Sequence, residues 1–533
     1  IHPTTARSYC TWTPHPQFVG RTHIPVYIRD GTWNDFMHPN GVTWSRIQLE
    51  LEVEWALNEI NNTTSAAHPP LSYAGLVTCS DTNMNGLFEE CQTPNAMVIT
   101  STGPGYTACD AQWIPAERIV SIPRHNCNPP LPDANARFSQ WLVPGTRTDH
   151  LVAMLLHELG HGLGLGDFWN CTTSTNPACT DPLWPNSCSM MQAPWLADLH
   201  HSYYLDDALG LRAIWGTAPA IGRGHYESLD LVSWSTIGTS TPGTDALRWG
   251  SGASTNWSAT HMFLVYRDDA TLKPFASSWN WSTTAWTPYF QPSLYAEMGT
   301  VGAAREATHS SALYLIGETQ TNVRTWIASS RHANSSGAVR TLQSVRTRQH
   351  GSDGAFDTKS GFRLQVYRND NSEIVLQTLN SSGAVVYSTT LANIAFATPS
   401  LACGPPDIAR NCILVWAIAV SGASHLVASS QFSVTAGGTG FSFGVTAVHG
   451  HTALHRPVVS FAGLNASGKF VLALREPMSA SATMEGVRIV AKSTSETSFF
   501  GAIGTVFQVP SYGDLSYTLG QANGTVQLLL GSR

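Results

Sequence analysis

The first 217 residues contain hydrophobic patterns typical of both strands and helices. Short apolar runs at Arg21–Asp30, Ala96–Thr100 and Arg118–Ile122 each predict a strand. Thr43–Asn61 is ambiguous, because its apolar residues alternate with polar ones as in a half-buried strand. Its length and its content of Glu, Leu and Ala favour a helix, and we predict a helix there.

From about Thr217 onward the pattern changes to pairs of strands. Residues 216–224 (GTAPAIGRG) predict a linker, and no helical pattern follows it. Instead an apolar strand, a polar turn and a second strand ending in small residues recur, with starts about 50 to 57 residues apart. These units begin at His261, Ala312, Gly361, Cys412 and Lys469. An all-β repeat of this length is typical of a propeller blade.

The two ends of the repeat region complement each other. The last unit, from Pro510, contains only two strands, and Gly224–Ile237 can supply the strands that it lacks. Pairing the two ends closes a ring of six blades and leaves no free sheet edge. Two β-sandwiches of unrelated strands are the alternative. We therefore predict an α+β domain over residues 1–217 and an all-β propeller, six-bladed, over residues 218–533.

The amino-acid composition excludes several classes of protein. Hydrophobic residues make up 42% of the chain, which rules out a disordered protein, and charged residues only 12%, against about 25% in typical domains. The net charge is -7 without runs of Lys or Arg, so no nucleic-acid partner is expected. No apolar stretch reaches the length of a membrane-spanning helix. The chain starts at Ile1 without Met or a leader, so we expect a signal peptide or propeptide to have been removed.

The ten cysteines point to an oxidising environment. None forms a CxxC pair, so a zinc site made of thiolates is not expected. Two close pairs, Cys79 with Cys91 and Cys403 with Cys412, are predicted to bridge loops. Ten reduced, buried thiols are the alternative. We favour disulfides, and with them a secreted, extracellular protein.

A histidine pair supplies candidate chemistry within a predicted helix that Thr148 can cap. In the sequence HELGH, His157 and His161 are four residues apart, so both imidazoles share one helix face and can reach one metal ion. Glu158 lies beside the metal and is predicted to deprotonate a zinc-bound water and pass the proton to a leaving amine. The alternative is a helix with two ordinary surface histidines.

The residues after this helix complete a candidate zinc site. The helix is predicted to end at Gly162 or Gly164, and Gly164 allows a sharp turn that is costly for any side chain. The turn brings Asp167 back toward the metal as a third ligand. Three protein ligands and one water form the usual coordination of a catalytic zinc.

Several of these residues match a known family. His157–Asp167 resembles the extended metzincin signature HExxHxxGxx followed by His or Asp, with Asp as in snapalysin-like bacterial proteases. Ser189 and the two methionines after it resemble the Met-turn, for which we favour Met191 over Met190 because serine precedes it by two residues. Leu205–Gly216 is similar to the final helix of matrixin-like catalytic domains.

The resemblance implies an α+β metzincin catalytic domain with a mixed sheet and an active-site helix. It implies a monomeric, secreted zinc endopeptidase with Glu158 as the catalytic residue. A protein or peptide substrate is expected to lie antiparallel to an upper edge strand near Asn95–Thr100. A side-chain pocket is expected near residues 185–200, with Trp184 and Trp195 either in its wall or in the core.

A calcium site is a weaker prediction. Asp81, Asn83, Asn85 and Glu89 carry oxygen ligands with the spacing of a calcium loop, but no helices flank them. A polar turn closed by the nearby disulfide is the simpler interpretation. Loops of this kind bind structural calcium in related proteases, so calcium joins zinc as a predicted cofactor.

Two other classes of function compete with a protease. The first is a lectin-like binding propeller with a vestigial protease domain, in which a glycan or matrix ligand docks on the propeller. The second is a propeller glycosidase of the sialidase kind, which needs three clustered arginines. Arg248, Arg363 and Arg456 are candidates for that cluster, but no motif supports them.

Overall fold

In the computed structural model the chain forms two compact units: Ile1–Pro219 with Ser421–Ala423, and Ala220–Val420 with Ser424–Arg533. In the first unit the structure describes residues 10–11, 14–36, 43–63, 66–82, 90–91, 93, 95–102, 111–123, 149–166, 191 and 205–216. In the second it describes residues 221–228, 231, 233–238, 253–258, 261–267, 274–280, 283, 285–290, 298–305, 312–319, 324–330, 339–340, 352–368, 373–380, 384–397, 399–420, 425–454, 456–462, 468–477, 485–497, 499, 507–509, 515–522 and 525–532. The predicted domain boundary at residue 217 stays a prediction.

The described part of the first unit contains a five-stranded mixed sheet, two two-stranded sheets, three α-helices and a 3-10 helix at Thr32–Asp35. The strands are β1 (Cys10–Thr11), β2 (Ile24–Arg29), β3 (Leu71–Val77), β4 (Cys79–Ser80), β5 (Glu90–Cys91), β6 (Met97–Ser101), β7 (Gln112–Ile114), β8 (Ile119–Ile122) and β9 (Leu165–Gly166). The α-helices are α1 (Arg46–Thr63), α2 (Asp149–Gly162) and α3 (Leu205–Trp215). The order of the five-stranded sheet is β3-β2-β6-β8-β7, with β7 antiparallel and the other strands parallel, and the two-stranded sheets are β1-β9 and β4-β5. The predicted strands near residues 21–30, 96–100 and 118–122 and the helix at 43–61 are confirmed.

Helix α2 packs closely on this sheet. A Cβ at Gly162 would lie 2.8 Å from Met97 Cε and 3.2 Å from the ring of Trp113, so a larger residue there would force both side chains to shift. The prediction that Asn95–Thr100 forms an upper edge strand is wrong, because β6 pairs with β2 on one side and β8 on the other. Its main-chain groups are therefore already used, and β7 forms that edge of the sheet.

The second unit is built from six four-stranded antiparallel sheets among the described residues. The first blade comprises β12 (Ala253–Ser258), β13 (His261–Arg267), β14 (Pro274–Asn280) and β15 (Ala285–Phe290), and the second β16 (Met298–Arg305), β17 (Ala312–Thr319), β18 (Arg324–Ser330) and β19 (Val339–Arg340). The third comprises β20 (Ser352–Asp357), β21 (Phe362–Arg368), β22 (Glu373–Leu379) and β23 (Val385–Ile394), and the fourth β24 (Ser400–Cys403), β25 (Cys412–Ile418), β26 (His425–Val434) and β27 (Phe441–Ala453). The fifth comprises β28 (Val458–Ala462), β29 (Lys469–Pro477), β30 (Glu485–Ser493) and β31 (Phe507–Val509), and the sixth β10 (Ile221–Ser228), β11 (Ser235–Gly238), β32 (Leu515–Ala522) and β33 (Thr525–Ser532).

Pairing of the two ends closes the ring. In the sixth blade the order is β11-β10-β33-β32, so strands from both ends of the unit form one sheet. His225 pairs with Leu529 and Tyr226 with Leu528. The first strands of successive blades are neighbours from β12 round to β28, and β32 contacts both β28 and β12. The predicted closure is confirmed, the two-sandwich alternative is wrong, and the molecule as a whole is mostly β-sheet.

Asp353 of β20 connects three neighbouring blades. Its Oδ2 accepts hydrogen bonds from Ser400 Oγ (2.7 Å) and from the Leu401 N–H (2.9 Å) in the fourth blade. The same oxygen lies 3.1 Å from Nη2 of Arg456, which precedes β28. Ser400 Oγ in turn accepts the Val459 N–H of the fifth blade at 3.1 Å. This buried polar network holds the inner strands of the three blades in register.

A glycine pair after β26 illustrates how tightly the third and fourth blades pack. Gly438 has φ +72°, and a Cβ there would lie 2.6 Å from the ring of Phe362. Its carbonyl accepts a hydrogen bond from Thr378 Oγ1 at 2.6 Å. Gly437 has a similar φ of +74°, but the nearest atom to its Cβ would be Thr439 Cγ2 at 3.9 Å. A side chain at either glycine would therefore strain the backbone, but only a side chain at Gly438 would also clash with a neighbouring ring.

Two predicted disulfides are confirmed, Cys79–Cys91 between β4 and β5 and Cys403–Cys412 between β24 and β25. Each joins directly paired residues of a two-stranded ladder. Among the described helices, none is long and apolar enough to cross a bilayer.

Candidate functional site

The predicted histidine pair lies on α2, with its two rings facing each other. Nε2 of His157 and Nε2 of His161 are 3.0 Å apart, and the ring planes are nearly perpendicular at 88°. The two residues are 5% and 7% exposed. The spacing of four residues therefore brings two ring nitrogens to one point beside the helix, as the sequence predicts.

The turn after α2 determines which nitrogen of His161 carries its proton. Gly164, with φ +98°, reverses the chain, and its N–H donates to the His161 carbonyl at 3.0 Å. Nδ1 of His161 lies 2.9 Å from the Leu165 carbonyl, which can only accept, so Nδ1 carries the proton. In the neutral ring Nε2 then presents a lone pair toward His157. A proton or a cation between the two Nε2 atoms stabilises this arrangement.

Of the other residues predicted for this site, some are buried in the structure and the rest lie outside the described residues. Glu158 is 4% exposed, and Met191 is 2% exposed within the core that contains α2. Asp167 and Met190 lie outside the described residues, as do Trp184 and Trp195. In the described part of the chain, no group of three or more His, Cys, Asp or Glu side chains is placed to hold a metal ion. The described residues thus supply two of the three expected zinc ligands.

The predicted calcium loop is only partly described. Asp81 lies in the turn after β4, whereas Asn83, Asn85 and Glu89 are outside the described residues. The disulfide between Cys79 and Cys91 closes this segment. Calcium binding therefore stays a prediction.

A second candidate site is a cleft between the fourth and fifth blades, with a volume of about 430 Å³. We call it the interblade cleft. Its lining combines hydroxyl, amide, ammonium, guanidinium and carboxylate groups with three aliphatic side chains. The lining residues are Asp407, Ile408, Ala409, Arg410, Ser429, Gln431, Gly444, Val445, Lys492, Thr494, Ser495, Glu496 and Thr497. Concave sites of this volume are of the size that holds small ligands.

Lys492 and Gln431 connect the two blades within the interblade cleft. Lys492 is 2% exposed, and its Nζ donates to Gln431 Oε1 at 2.6 Å. The Gln431 amide donates to the carbonyl oxygens of Thr494 (3.2 Å) and Arg410 (3.3 Å). Burial lowers the pKa of Lys492 to about 8, while Glu496 acts in the opposite direction. The amide is therefore held rigidly, and the lysine beside it keeps its charge at neutral pH.

Ser429 and His449 form a buried pair beside Lys492. Nδ1 of His449 accepts the Phe499 N–H at 3.3 Å, so the neutral ring carries its proton on Nε2. Nε2 lies 2.8 Å from Ser429 Oγ and donates to it. Burial, with Lys492 and His451, lowers the pKa of His449 to about 4. His449 therefore does not act as a base toward Ser429, whose hydroxyl proton remains available to a ligand.

Arg410 forms one wall of the cleft. A Cβ at Gly444 would lie 3.2 Å from Arg410 Nη1 and 3.3 Å from its Cδ, so glycine on β27 lets the guanidinium lie against the strand. Val445, the next residue, is 77% exposed. The rim thus offers a charged donor next to an apolar side chain.

This cleft was hard to predict from the sequence, because its residues come from distant segments. One usable signal is the position of Lys492 in β30. Val487, Ile489 and Ala491 alternate with it and pack on one face of the blade, so Lys492 faces the neighbouring blade. A lysine at a buried alternation position of an apolar strand indicates a functional or paired group.

The arginines considered for a glycosidase do not form a cluster among the described residues. Arg363 is 3% exposed and donates to the Asn380 carbonyl at 3.1 Å. Arg456 belongs to the Asp353 network between blades. Arg248 lies outside the described residues. Both described arginines are therefore structural.

No protein-family model matches the chain, and no curated protein matches it. Solved structures are similar to parts of it. The six-bladed β-propeller lectin of Aleuria aurantia is 10% identical over 52% of this chain and 86% of that chain, with a TM-score of 0.36. The SapL1 lectin in complex with α-methyl fucoside is 13% identical over 55% and 96%, with a TM-score of 0.34. The Bacteroides ovatus xyloglucan PUL protein GH43B is 8% identical over 48% and 56%, with a TM-score of 0.32, so the chain spans just over half of that protein.

The expectation of a metzincin zinc endopeptidase is wrong. No family model supports it. A catalytic zinc needs three protein ligands, and the described residues contain no such group. A peptide substrate is unsupported for the same reason. The roles assigned to His157, Glu158, His161 and Asp167 stay predictions.

Proposed function

We propose that the propeller unit is a carbohydrate-binding module whose ligand lies in the interblade cleft. The observation that supports it most is the polar lining of that cleft, where donors and acceptors from two blades meet around about 430 Å³. The lectin-like binding propeller, the second class weighed from the sequence, thus replaces the protease as the leading hypothesis.

The chemistry of the lining suits a sugar. A sugar ring presents hydroxyl groups that both donate and accept, and Ser429, Gln431 and Arg410 offer both kinds of partner within a few ångströms. The C–H faces of a sugar are apolar, and Val445 on the rim exposes an apolar surface. The groups are preorganised by hydrogen bonds between β26 and the turn after β30, which reduces the entropy lost on binding.

An extracellular setting fits this proposal. Two disulfides are present, and disulfides persist in oxidising compartments. A glycan or matrix ligand outside the cell is therefore the proposed partner. That the protein is a monomer and that it has no nucleic-acid partner both stay predictions.

A glycan array tests the proposal. The full chain is expected to bind a defined set of glycans, and Gln431→Ala is expected to weaken binding at least tenfold, since a ligand hydrogen bond and the bridge to Thr494 are both lost. Gln377→Ala is the matched control, because Gln377 occupies the third strand of the neighbouring blade outside the cleft. Absence of glycan binding by the full chain, or equal losses in both variants, would reject the proposal.

We also propose that α2 binds a divalent cation, zinc, through His157 and His161. The 3.0 Å separation of their Nε2 atoms supports this, because two zinc–nitrogen bonds of about 2.0–2.1 Å can span it. When bound, zinc would replace a proton between the two nitrogens, and the Leu165 carbonyl would orient the His161 ring by accepting a hydrogen bond from its Nδ1–H.

Metal analysis tests the second proposal apart from any activity. The purified full chain is expected to retain about one zinc per molecule after dialysis, and His157→Ala and His161→Ala should each lose it. Asp167→Ala tests the predicted third ligand in the same assay. A wild-type chain that binds no zinc would contradict the proposal.

A further inference from the structure

Among the described residues, neither of the two cations of the interblade cleft forms a contact ion pair with a carboxylate. Lys492 is 2% exposed, and its ammonium has Gln431 as hydrogen-bond acceptor and the ring of Phe499 at 5.8 Å from Nζ. Arg410 lies along β27 at Gly444, and no described carboxylate is within ion-pair distance of its guanidinium. An ammonium buried against a neutral amide and an aromatic ring, with no carboxylate in contact, is costly, which calls for a functional reason.

Glu496 attracts the Lys492 ammonium electrostatically, but the acidic groups that line the cleft are not in ion-pair contact with it. Asp407 and Glu496 are exposed at the rim. The Glu496 carboxylate accepts the Ser493 N–H within its own turn, which lowers its pKa. His449 is neutral above about pH 5, since its pKa is about 4. The buried part of the cleft at Lys492 therefore carries a positive charge at neutral pH.

We propose that the cleft selects a negatively charged sugar, whose carboxylate or sulfate ester lies between Lys492 and Arg410. The inference rests on the proposed function and adds the class of glycan. An anionic substituent would receive charge-assisted hydrogen bonds from the remaining donors of the ammonium and from the guanidinium fork. It would also give the buried Lys492 ammonium a negative charge in direct contact, which offsets the cost of its burial.

The lysine gives this selectivity a pH dependence. The ammonium is charged below a pKa of about 8, so affinity for the anionic sugar is present at pH 7 and lost as the pH rises toward 10. The titratable or charged groups that face it are His449 from β27, Glu496 from the turn after β30, and Arg410 and Asp407 from the loop before β25. His449, whose pKa is lowered to about 4, stays neutral across that range, and the lowered pKa of Glu496 keeps its carboxylate ionised.

Calorimetry with the full chain tests the proposal. The ligands are a sulfated, uronate-containing oligosaccharide, its desulfated form, its carboxyl-reduced form and the form lacking both charges. The wild type is expected to bind the charged forms at least tenfold more tightly than the neutral form, and the two singly charged forms identify which anion is recognised. Lys492→Met and Arg410→Gln should each lower affinity for the charged form about tenfold to a hundredfold, with little effect on the neutral form.

A matched control separates the local site from net charge. Lys469→Met makes the same substitution in the same blade, at an exposed position outside the cleft, and is expected to leave all affinities unchanged. Equal affinity for charged and neutral forms, or no change in Lys492→Met, would overturn the inference while the glycan-binding function stands. If no form binds, neutral or charged, the proposed function and the inference both fail.

Discussion

Removal of the Asp353 carboxylate is expected to weaken the contacts among three blades at once. Asp353→Ala deletes the acceptor of Ser400 Oγ and the Leu401 N–H, and it removes the carboxylate that pairs with Arg456. Asp353 is 8% exposed and Arg456 is 5% exposed. Water therefore has little access to replace the lost hydrogen bonds.

The magnitude follows from the burial of the pair. Removing one partner of a buried ion pair costs about 3–5 kcal/mol, because the other charge stays in a poorly solvated place. For a propeller of this size, a loss of that amount lowers the unfolding temperature by about 5–8 °C. Asp353→Asn keeps an acceptor but loses the charge, so we expect about half of that effect.

Thermal unfolding of the full chain, followed by calorimetry, measures these changes. Asp407→Ala, which replaces an exposed aspartate of the fourth blade, is the control and is expected to change stability by about 0.5 kcal/mol or less. A double-mutant cycle with Arg456→Met isolates the pair itself. A loss below about 1 kcal/mol in Asp353→Ala would refute the reasoning, since it lies well under the usual cost of breaking a buried pair.

Three further predictions concern the second unit. Gly438→Ala should lower the free energy of unfolding by about 2–4 kcal/mol in chemical denaturation, and Gly437→Ala by only about 1 kcal/mol, since only the first adds a clash to the strain of positive φ. Equal losses of stability in the two variants would contradict this. Replacing Cys403 and Cys412 by alanine should cost about 2–3 kcal/mol, because a short loop is no longer closed in the unfolded chain; an unchanged unfolding midpoint would argue against it. The pKa of His449 is lowered to about 4 from 6.5 in the folded state, so its contribution to stability is full above pH 6.5 and lost as the pH falls toward 4. His449→Asn should flatten that part of the pH–stability profile, and an identical profile would contradict the assignment.

Helix α1 shows where periodicity alone misleads. Leu49, Leu51 and Val53 alternate with glutamates, as in a strand, yet the segment is helical. The alternation does not indicate a half-buried strand here, because the intervening Glu52 and Glu54 are buried as well, at 1% and 6% exposure. Helix propensity and length were the better guide for a helix that is covered on several sides.

The propeller was predictable because its signal repeats. One ambiguous strand pair is weak, but five units of similar length restrict the fold, and the incomplete last unit requires strands from the other end. The cleft was not predictable in the same way. Lys492 and Gln431, which meet within it, are 61 residues apart and belong to different blades, so their contact depends on the ring geometry.

The histidine pair shows the limit of a local motif. A spacing of four residues determines that His157 and His161 share a helix face, and their geometry follows that prediction. Peptide hydrolysis, which was predicted from this pair, requires more than two histidines on one helix face. A protease needs a third ligand, an open coordination position and a substrate groove, none of which local spacing determines; the edge strand expected near Asn95–Thr100 is instead central in its sheet.

A crystal structure of the full chain with its tightest-binding glycan tests the central claim most directly. The account predicts that the sugar lies between the fourth and fifth blades, with ring hydroxyls within hydrogen-bond distance of Ser429 and Gln431. A glycan bound elsewhere, in the central channel or on the first unit, with the interblade cleft empty, would contradict it.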